Sequence, residues 1–333
     1  MRSLALAFWL LAWPVAAQPH VRPVEVRVHP IERFHPFSSA TRFGKLEFLG
    51  GVQVASADPL FGGWSGVRLM GERIVVISDA GYWFDARTVR EGDRLLDLEA
   101  VRITPMLDGN GRPFDAKWKI DAEGFEHLPP GITGPVGVTS TASWLVSTER
   151  DVRLLHFDGD PFATPVPARV LFRPTIPLRG NRALEAVAAR ITQDAFLLLT
   201  LSEDSRDERG DVPGLLVDGM RSAPQPIAVR KRGRYAITAA AFLPDGDLLI
   251  LERRFDLAAG PGMRIRRIEG RTIRSGAALD GDVLIEAALP HQIDNMEGLA
   301  VSPHPQGHRL TLVSDDNRSM LQRTLVLEFL LRR

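Results

Sequence analysis

The chain has 333 residues with 41 basic and 41 acidic side chains, so its formal net charge at neutral pH is zero. This balance excludes the strongly basic surface that nucleic acids or anionic membranes require of a partner. The sequence has no cysteine, which excludes disulfides and cysteine-linked lipid anchors. A hydrophobic core must therefore stabilise the fold alone.

The first segment, residues 1–17, has the composition of a cleaved export signal. Arg2 supplies the positive start, an apolar run covers residues 4–13, and small residues precede a cleavage site at Ala17. The apolar run is too short to span a membrane. We therefore expect cleavage after Ala17, a periplasmic or secreted protein, and no transmembrane segment in the mature chain.

Residues 18–40 contain four prolines and predict an extended lead-in before a single domain over residues 41–333. Short apolar runs bounded by Gly, Pro, Asp or Asn then predict β-strands. A helix is possible only in a few places, such as NRALEAVAAR (181–190). Five of the runs end in an acid: RIVVISD (73–79), SWLVSTE (143–149), AFLLLTLSE (195–203), DLLILE (247–252) and RLTLVSD (309–315).

A matching segment precedes each of these runs, so the chain is built from repeats. The segments are SGVRL from Ser65, EGFEHL from Glu123, EAVAAR from Glu185, TAAAFL from Thr238 and EGLAV from Glu297. Their second residues are 58, 62, 53 and 59 positions apart. This period suits four strands per unit and predicts an all-β propeller with five blades, or with six if one unit is degenerate.

The last repeat is incomplete. Only 35 residues follow Gly298, whereas KLEFLGGVQVA (45–55) contains a strand that no unit uses. We expect this N-terminal strand to complete the last blade, because that closure removes the open edges that a sheet must otherwise protect.

The acids at the ends of the repeats are expected to meet. In a propeller the first strand of a blade lines the channel and the second returns antiparallel, so the start of one and the end of the other share a face. The first positions are Ser65, Glu123, Glu185, Thr238 and Glu297, and the second positions are Asp79, Glu149, Glu203, Glu252 and Asp315. Eight of the ten are acids, which predicts a ring of carboxylates at one mouth.

Two interpretations of this ring stay open, because crowded carboxylates must bind cations, pair with arginine or take up protons. Arg150 and Arg253 directly follow acids of the ring, and Arg318 follows SDDN (314–317). These arginines could neutralise the acids and join the blades. Alternatively, the mouth is a funnel in which carboxylates hold a hard cation and arginines hold an anionic substrate.

Common catalytic motifs are absent from the sequence. GGWSGV (62–67) lacks the glycine two residues after the serine that a nucleophile elbow needs, so Ser65 is expected to be a hydrogen-bonding group. There is no HExxH zinc motif, no Walker loop and no dinucleotide fingerprint. We therefore expect no organic cofactor.

Several stretches resemble the phytase-like esterase family. They are GGWSGVRL…VVISDAG, DAEGFEHL, WLVSTERDVRLLHF, NRALEAVA, LLILERRF and DNMEGLAV…LTLVSDDNRS, spread from about residue 45 to residue 329. The resemblance implies a β-propeller and hydrolysis of ester or phosphate-ester bonds. The chain lacks a DDPA-type motif like that of the calcium-dependent propeller phytases, so phytate is not implied as its substrate.

These observations predict an exported hydrolase for a small or envelope-derived phosphate ester or other anionic ester, assisted by Ca²⁺ or Mg²⁺. An enzyme without metal, in which one carboxylate with a raised pKa acts as general base for water, stays open beside it. The alternative is a non-catalytic propeller that binds a sugar, a peptide or a cell-envelope component. The sequence does not predict an oligomeric state. The predicted site residues are Glu123, Glu149, Glu185 and Glu297 for catalysis, Ser65, Arg150, Arg253 and Arg318 for substrate binding, and Asp79, Glu203, Glu252 and Asp315 for metal.

Overall fold

The computed structural model describes residues 20–134, 136–176, 178, 183–192, 196–219, 223–256 and 258–333. Within these ranges the chain forms β-strands and two short 3₁₀ turns, Lys117–Lys119 and Gly270–Thr272, without an α-helix. No helix among these residues has the length and apolarity that a membrane crossing requires. The export signal predicted for residues 1–17 lies outside the described residues.

The strands form five sheets that are the blades of a propeller, each written here from its inner to its outer strand. Blade 1 has Trp64–Met70, Arg73–Ser78, Tyr82–Glu91 and Arg94–Pro105, and blade 2 has Ala122–Leu128, Ser143–Thr148, Arg153–Asp158 and Ala168–Phe172. Blade 3 has Leu184–Ile191, Phe196–Ser202, Val212–Asp218 and Gln225–Val229, and blade 4 has Ala236–Phe242, Leu248–Asp256, Gly260–Ile268 and Asp282–Ala288. Blade 5 has Asn295–His304, Gly307–Asp315, Thr324–Arg332 and Leu46–Ala55. The predicted all-β propeller is confirmed with five blades, and the alternative of six is wrong.

The N-terminal strand closes the ring, as the repeat arithmetic predicts. Leu46–Ala55 pairs antiparallel with Thr324–Arg332, and Val52 lies opposite Val326. Shorter strands extend the outer edges: Arg22–Pro23 on blade 1, Ala278–Leu279 on blade 3, and Arg27–Ile31 and Arg42–Phe43 on blade 5. Thr133–Gly134 and Gly137–Val138 form a separate hairpin. The described part of the predicted lead-in is thus extended chain along two blade edges.

The hydrophobic core consists of five clusters, one at each interface between neighbouring blades. Alternate residues of a strand face opposite sides, so one strand contributes to two clusters. In blade 1, Ile74 and Val76 pack toward blade 5, whereas Val75 and Ile77 pack toward blade 2. Burial on both faces explains why the second strands read as unbroken apolar runs.

The segment that allowed a helix is a strand. Leu184–Ile191 pairs with Phe196–Ser202, and its Val187 and Ala188 side chains are buried against blades 2 and 4 respectively. Pairing and burial on both faces outweigh the moderate helix propensity of this alanine-rich sequence.

A partly buried ion pair joins four blades farther along the channel. Arg68 of blade 1 donates from Nε to Glu126 Oε1 of blade 2 at 2.8 Å. Its guanidinium also donates to the carbonyl of Leu299 in blade 5 and to that of Val187 in blade 3. The inner strands are therefore fixed to one another below the carboxylate mouth.

Candidate functional site

The first-position residues all lie at a β-bulge. Between the inner and second strands the ladder skips one residue in every blade: in blade 3, Leu184 pairs with Ser202 and Ala186 with Leu201, which leaves Glu185 as the extra residue. The same shift occurs at Ser65, Glu123, Thr238 and Glu297. A bulge re-aims the side chain of the extra residue, so the repeat presents one side chain per blade in the same way.

The small residue that follows each first position is explained by packing at the axis. A Cβ on Gly124 would overlap the carbonyl oxygen of Glu185 in blade 3. A Cβ on Gly298 would lie 3.1 Å from the Cα of Gly66 in blade 1. The inner strands approach so closely here that only a small residue fits after the first position. In each Glu-Gly pair the glycine is therefore a packing residue and the glutamate a candidate functional residue.

The mouth of the propeller is a polar cavity of about 470 Å³. Nine acids and five bases line it, so its formal charge is 5 − 9 = −4 when every group is ionised. The acids are Asp79, Asp121, Glu123, Glu149, Glu185, Glu203, Asp204, Glu297 and Asp315, and the bases are Lys117, Arg150, Arg234, Arg253 and Arg254. The structure therefore brings together nine of the twelve predicted site residues and excludes Ser65, Glu252 and Arg318.

Blade 4 has no acid at the second position in the structure. The repeat alignment made from the sequence is wrong by one residue in the second strand of this blade. Ile237, the residue before the bulge, pairs with Glu252. The equivalent partners are Ser78, Thr148, Ser202 and Ser314. The second position of blade 4 is therefore Arg253, and a slip of one residue places Glu252 on the other face of the strand.

Glu252 correspondingly does not line the cavity, so its position does not support its prediction as a metal ligand. Its side chain is buried and accepts hydrogen bonds from Arg264 Nε at 2.7 Å and from Arg266 Nη2 at 2.7 Å. These contacts neutralise the carboxylate within blade 4. The Ser or Thr that precedes the acid in the other four blades is the sequence signal that distinguishes Glu252 from them.

The other two excluded residues also have local contacts. Ser65 is buried, and its hydroxyl donates to the carbonyl of Gly63 at 3.4 Å. Arg318 is exposed in a turn, where its backbone N–H donates to Asp316 Oδ1. Neither side chain lines the cavity, so their predicted contact with substrate is not supported by their positions.

Blade 2 supplies the closest group of carboxylates in the cavity. Oxygens of Asp121, Glu123 and Glu149 all lie within 4.8 Å of one another. Arg150 Nε lies 2.8 Å from Asp121 Oδ2, and Lys117 Nζ lies 3.6 Å from Asp121 Oδ1. Sequence reasoning missed Asp121, although it stands two residues before Glu123 and therefore on the same side of an extended chain.

Arg253 lies between acids of blades 3 and 5. Its Nη2 donates to Glu203 Oε1 at 3.1 Å, and its Nε lies 3.0 Å from Glu297 Oε1. Asn295 Nδ2 donates to the same Glu297 oxygen at 2.8 Å. Asn295 was also missed, and it holds the position in blade 5 that Asp121 holds in blade 2. The arginine thus neutralises part of the ring while it fixes two carboxylates.

Blades 1 and 5 place Asp79 and Asp315 at the remaining side of the cavity. Asp79 pairs with Lys117 through one oxygen, whereas its buried Oδ1 has no hydrogen-bond partner among the described residues. Gly63, with φ of 68°, leaves the space for that oxygen, which a Cβ would overlap. Asp315 Oδ1 accepts a hydrogen bond from the backbone of Asn317 at 2.6 Å.

Burial and mutual repulsion perturb these carboxyl groups. Burial, followed by repulsion from neighbouring carboxylates, raises the pKa of Glu149 to about 7 and the pKa of Glu123 well above its usual range. Burial is also the main cause that raises the pKa of Asp315 to about 7 and of Glu297 to about 8. Burial and the Glu297 carboxylate raise the pKa of Glu185 strongly. The residues of the cavity do not balance their own charge, so protons or cations must do so.

Two solved structures share the fold. One is a thermostable family-43 glycoside hydrolase, with a TM-score of 0.50, 10% sequence identity and coverage of 80% of this chain and 89% of that chain. The other is the catalytic domain of a Coprinopsis cinerea GH62 alpha-L-arabinofuranosidase, with a TM-score of 0.52, 10% identity and coverage of 87% and 98%. At this identity the likeness shows the fold alone. No curated protein matches the sequence significantly.

The sequence also matches a protein-family profile over residues 59–318, which contain the inner and second strands of all five blades. The profile is described as phytase-like, with the esterase-like activity of phytase. The matched range includes every residue that lines the acidic cavity. The chain therefore belongs to the phytase-like family.

Proposed function

We propose that the protein hydrolyses an anionic ester, such as a phosphate monoester, at the acidic cavity with the help of a divalent cation. The observation that carries this proposal is the group of three blade-2 carboxylates. Glu123 and Glu149 have no hydrogen bond or ion pair from their side chains to any described residue, and Asp121 lies beside them. A site that only joined blades would leave no such unpaired, converging oxygens.

The residues of blade 2 fit Ca²⁺ or Mg²⁺. Both ions prefer carboxylate oxygen, and two ligands of one Ca²⁺ at about 2.4 Å can be at most about 4.8 Å apart. Asp121, Glu123 and Glu149 satisfy this limit. The four negative charges that the fully ionised cavity has in excess favour a cation of charge two. When bound, the cation would polarise the ester and offset the negative charge that develops during the reaction.

Glu185 and Glu297 are suited to move the proton. Burial and then the Glu297 carboxylate raise the pKa of Glu185, whereas burial and the carboxylates of Asp315 and Glu203 raise the pKa of Glu297. Two interacting carboxyls titrate as a pair in two steps, so between those steps one member is ionised and the other retains its proton. The ionised member would accept a proton from water as the water oxygen bonds to the ester phosphorus or carbon. The protonated member would donate to the oxygen of the departing alcohol as the ester bond breaks.

Basic side chains at the edge of the cavity would orient the anion. Arg150 and Lys117 are each about half exposed at the side chain and each contacts Asp121. Arg253, held by Glu203 and Glu297, is more buried and would position those carboxylates. The assignment keeps Arg150 as a substrate-binding residue and makes Arg253 a positioning residue.

The comparisons support hydrolysis in general terms. The family description refers to esterase-like activity, and both similar structures are named as glycoside-cleaving enzymes. The rival function, a propeller that only binds a sugar, peptide or envelope component, does not by itself require the converging carboxyls of Glu123 and Glu149, which have no partner among the described residues. Export to the periplasm or medium remains part of the proposal because the N-terminal signal motif supports it.

The test is an activity panel on the purified protein. Para-nitrophenyl phosphate and para-nitrophenyl acetate are each assayed with Ca²⁺, with Mg²⁺ and with EDTA. We expect turnover with a cation and its loss in EDTA, and we expect Glu185→Gln to lower kcat by about 100-fold or more. Glu91→Gln, at an exposed glutamate outside the cavity, is the matched control. No turnover of either ester under any condition would refute the proposed function.

A further inference from the structure

Exposed apolar side chains are concentrated beside the acidic cavity. Seven large apolar side chains are exposed among the described residues. Four of them, Phe255, Leu289, Met320 and Leu321, belong to the rim formed by blades 4 and 5. Phe255 is 62% exposed and Leu321 is 94% exposed. Exposed apolar residues that cluster, rather than scatter, mark a binding surface.

This surface is a cavity of about 620 Å³ that continues the acidic one. Its apolar wall consists of Phe255, Pro261, Leu289, Ile293 and Leu321, which we call the apolar shelf. The two cavities share five lining residues: Arg253, Arg254, Phe255, Asn295 and Asn317. The two cavities are therefore adjacent, and a ligand in the acidic cavity lies next to the apolar shelf.

The polar groups around the apolar shelf are largely bonded to one another. Arg323 donates from Nη1 to Gln292 Oε1 at 2.7 Å and from Nη2 to the carbonyl of Ile293 at 2.9 Å. Its backbone N–H donates to Asp294 Oδ2 at 3.1 Å. Groups already bonded in this way compete weakly for a ligand, so the shelf offers mainly apolar contact.

The hairpin that carries Phe255 is shaped to keep the shelf open. Phe255 pairs with Pro261 across the hairpin, and Leu289 lies over Gly260, where a Cβ would stand 2.9 Å from the leucine Cδ1. Gly260 has φ of 69°, a conformation that favours glycine. Phe255 thus lines both cavities, Leu289 lines the apolar one, and each residue is more than half exposed.

We infer that the substrate is an anionic ester whose alcohol carries a nonpolar alkyl or aryl group, and that this group binds on the apolar shelf. The inference rests on the proposed function, since it names the substrate class for the same site. The ester group would lie among the carboxylates and the cation, and the departing alcohol would lie against Phe255, Leu289 and Leu321. A small, fully hydrophilic phosphate ester would leave the shelf in contact with water.

The test compares the binding of soluble alkyl phosphates by calorimetry with Ca²⁺ present. Each buried methylene strengthens binding about fourfold, so hexyl phosphate should bind at least about tenfold more tightly than ethyl phosphate if half of the added chain is buried. Phosphate release from both compounds is measured separately. Release without a difference in affinity overturns the inference and leaves the proposed function intact. A chain-length effect without release from any ester contradicts the proposed function instead.

Variants locate the effect. Leu321→Ser and Phe255→Ser should each reduce the ratio of hexyl to ethyl affinity at least about threefold, since each removes apolar contact. Phe37→Ser, at a distant side chain that is 85% exposed, should leave the ratio unchanged. Circular dichroism confirms that each variant is folded. Equal ratios in all four proteins, or no binding of either phosphate by the wild type, would overturn the inference.

Discussion

Glu297 makes the stability of the protein depend on pH in a predictable direction. Its side chain is buried, and Oε2 accepts no hydrogen bond from the described residues. Oε1 is held by Asn295 and lies beside Arg253. Burial nevertheless dominates and raises the pKa of Glu297 from 4.5 to about 8. Replacement of Glu297 by glutamine keeps the shape and the Oε1 acceptor but removes the ionisation.

The sign follows from proton binding. A carboxyl whose pKa is raised on folding binds more protons in the folded state, so its contribution to stability is complete below about pH 4.5 and is lost as the pH rises toward about 8. A pKa unit is worth about 1.4 kcal/mol, which gives an upper bound of about 5 kcal/mol for Glu297. Relaxation and water entry reduce such buried costs, so we expect about 2–3 kcal/mol.

The assay is urea unfolding followed by tryptophan fluorescence, in EDTA, at about pH 5 and about pH 8.5. Glu297→Gln should match the wild type within about 1 kcal/mol at the lower pH and exceed it by about 2–3 kcal/mol at the higher pH. Glu91→Gln, the exposed control, should follow the wild type at both. An equal difference between Glu297→Gln and wild type at the two pH values would refute the reasoning.

Two further substitutions separate the site from its scaffold. Gly63→Ala should lower the free energy of unfolding by about 2–4 kcal/mol, because alanine is strained at φ of 68° and its Cβ overlaps Asp79 Oδ1. Urea unfolding measures this loss, and a free energy within about 0.5 kcal/mol of that of the wild type would contradict the prediction. Glu252→Gln should lower the free energy of unfolding by about 3 kcal/mol, since it leaves the buried Arg266 with less counter-charge. It should not weaken the calcium affinity of the folded protein. A selective loss of calcium affinity in Glu252→Gln would return that residue to the site.

The fold was predictable because its signals repeat. The matched segments, the acids at strand ends and the unused strand at residues 45–55 were each visible in the sequence, and together they predicted five blades closed by the N-terminus. The ladder register was missed, although the Ser or Thr before the acid in the other four blades marks it in the sequence. It depends on a bulge, and one residue of slip exchanged Glu252 for Arg253 at the mouth.

The ring of carboxylates was predictable from the sequence, but the contacts and the role of each residue in it were not. Sequence order could place acids at one mouth, but it could not show that Arg253 pairs with Glu203 and Glu297 while Glu123 has no partner among the described residues. Those differences come from distances between blades. The apolar shelf was also missed, since Phe255 lies at the end of a strand of blade 4 and Leu321 in a turn of blade 5 about 66 positions later, and the two come together only in the folded chain.

The most direct test of a cation-binding ring is equilibrium dialysis of Ca²⁺ against the purified protein at about pH 8, where cation binding competes least with protons. The wild type should bind Ca²⁺ with a dissociation constant below about 1 mM, and Glu123→Gln should weaken binding about tenfold or more, while Glu91→Gln should not change it. Two results would contradict the account: failure of the wild type to bind Ca²⁺ or Mg²⁺, and equal Ca²⁺ affinity of Glu123→Gln and the wild type. Either would show that protons and contacts between blades, rather than a metal ion, balance the carboxylates of the cavity.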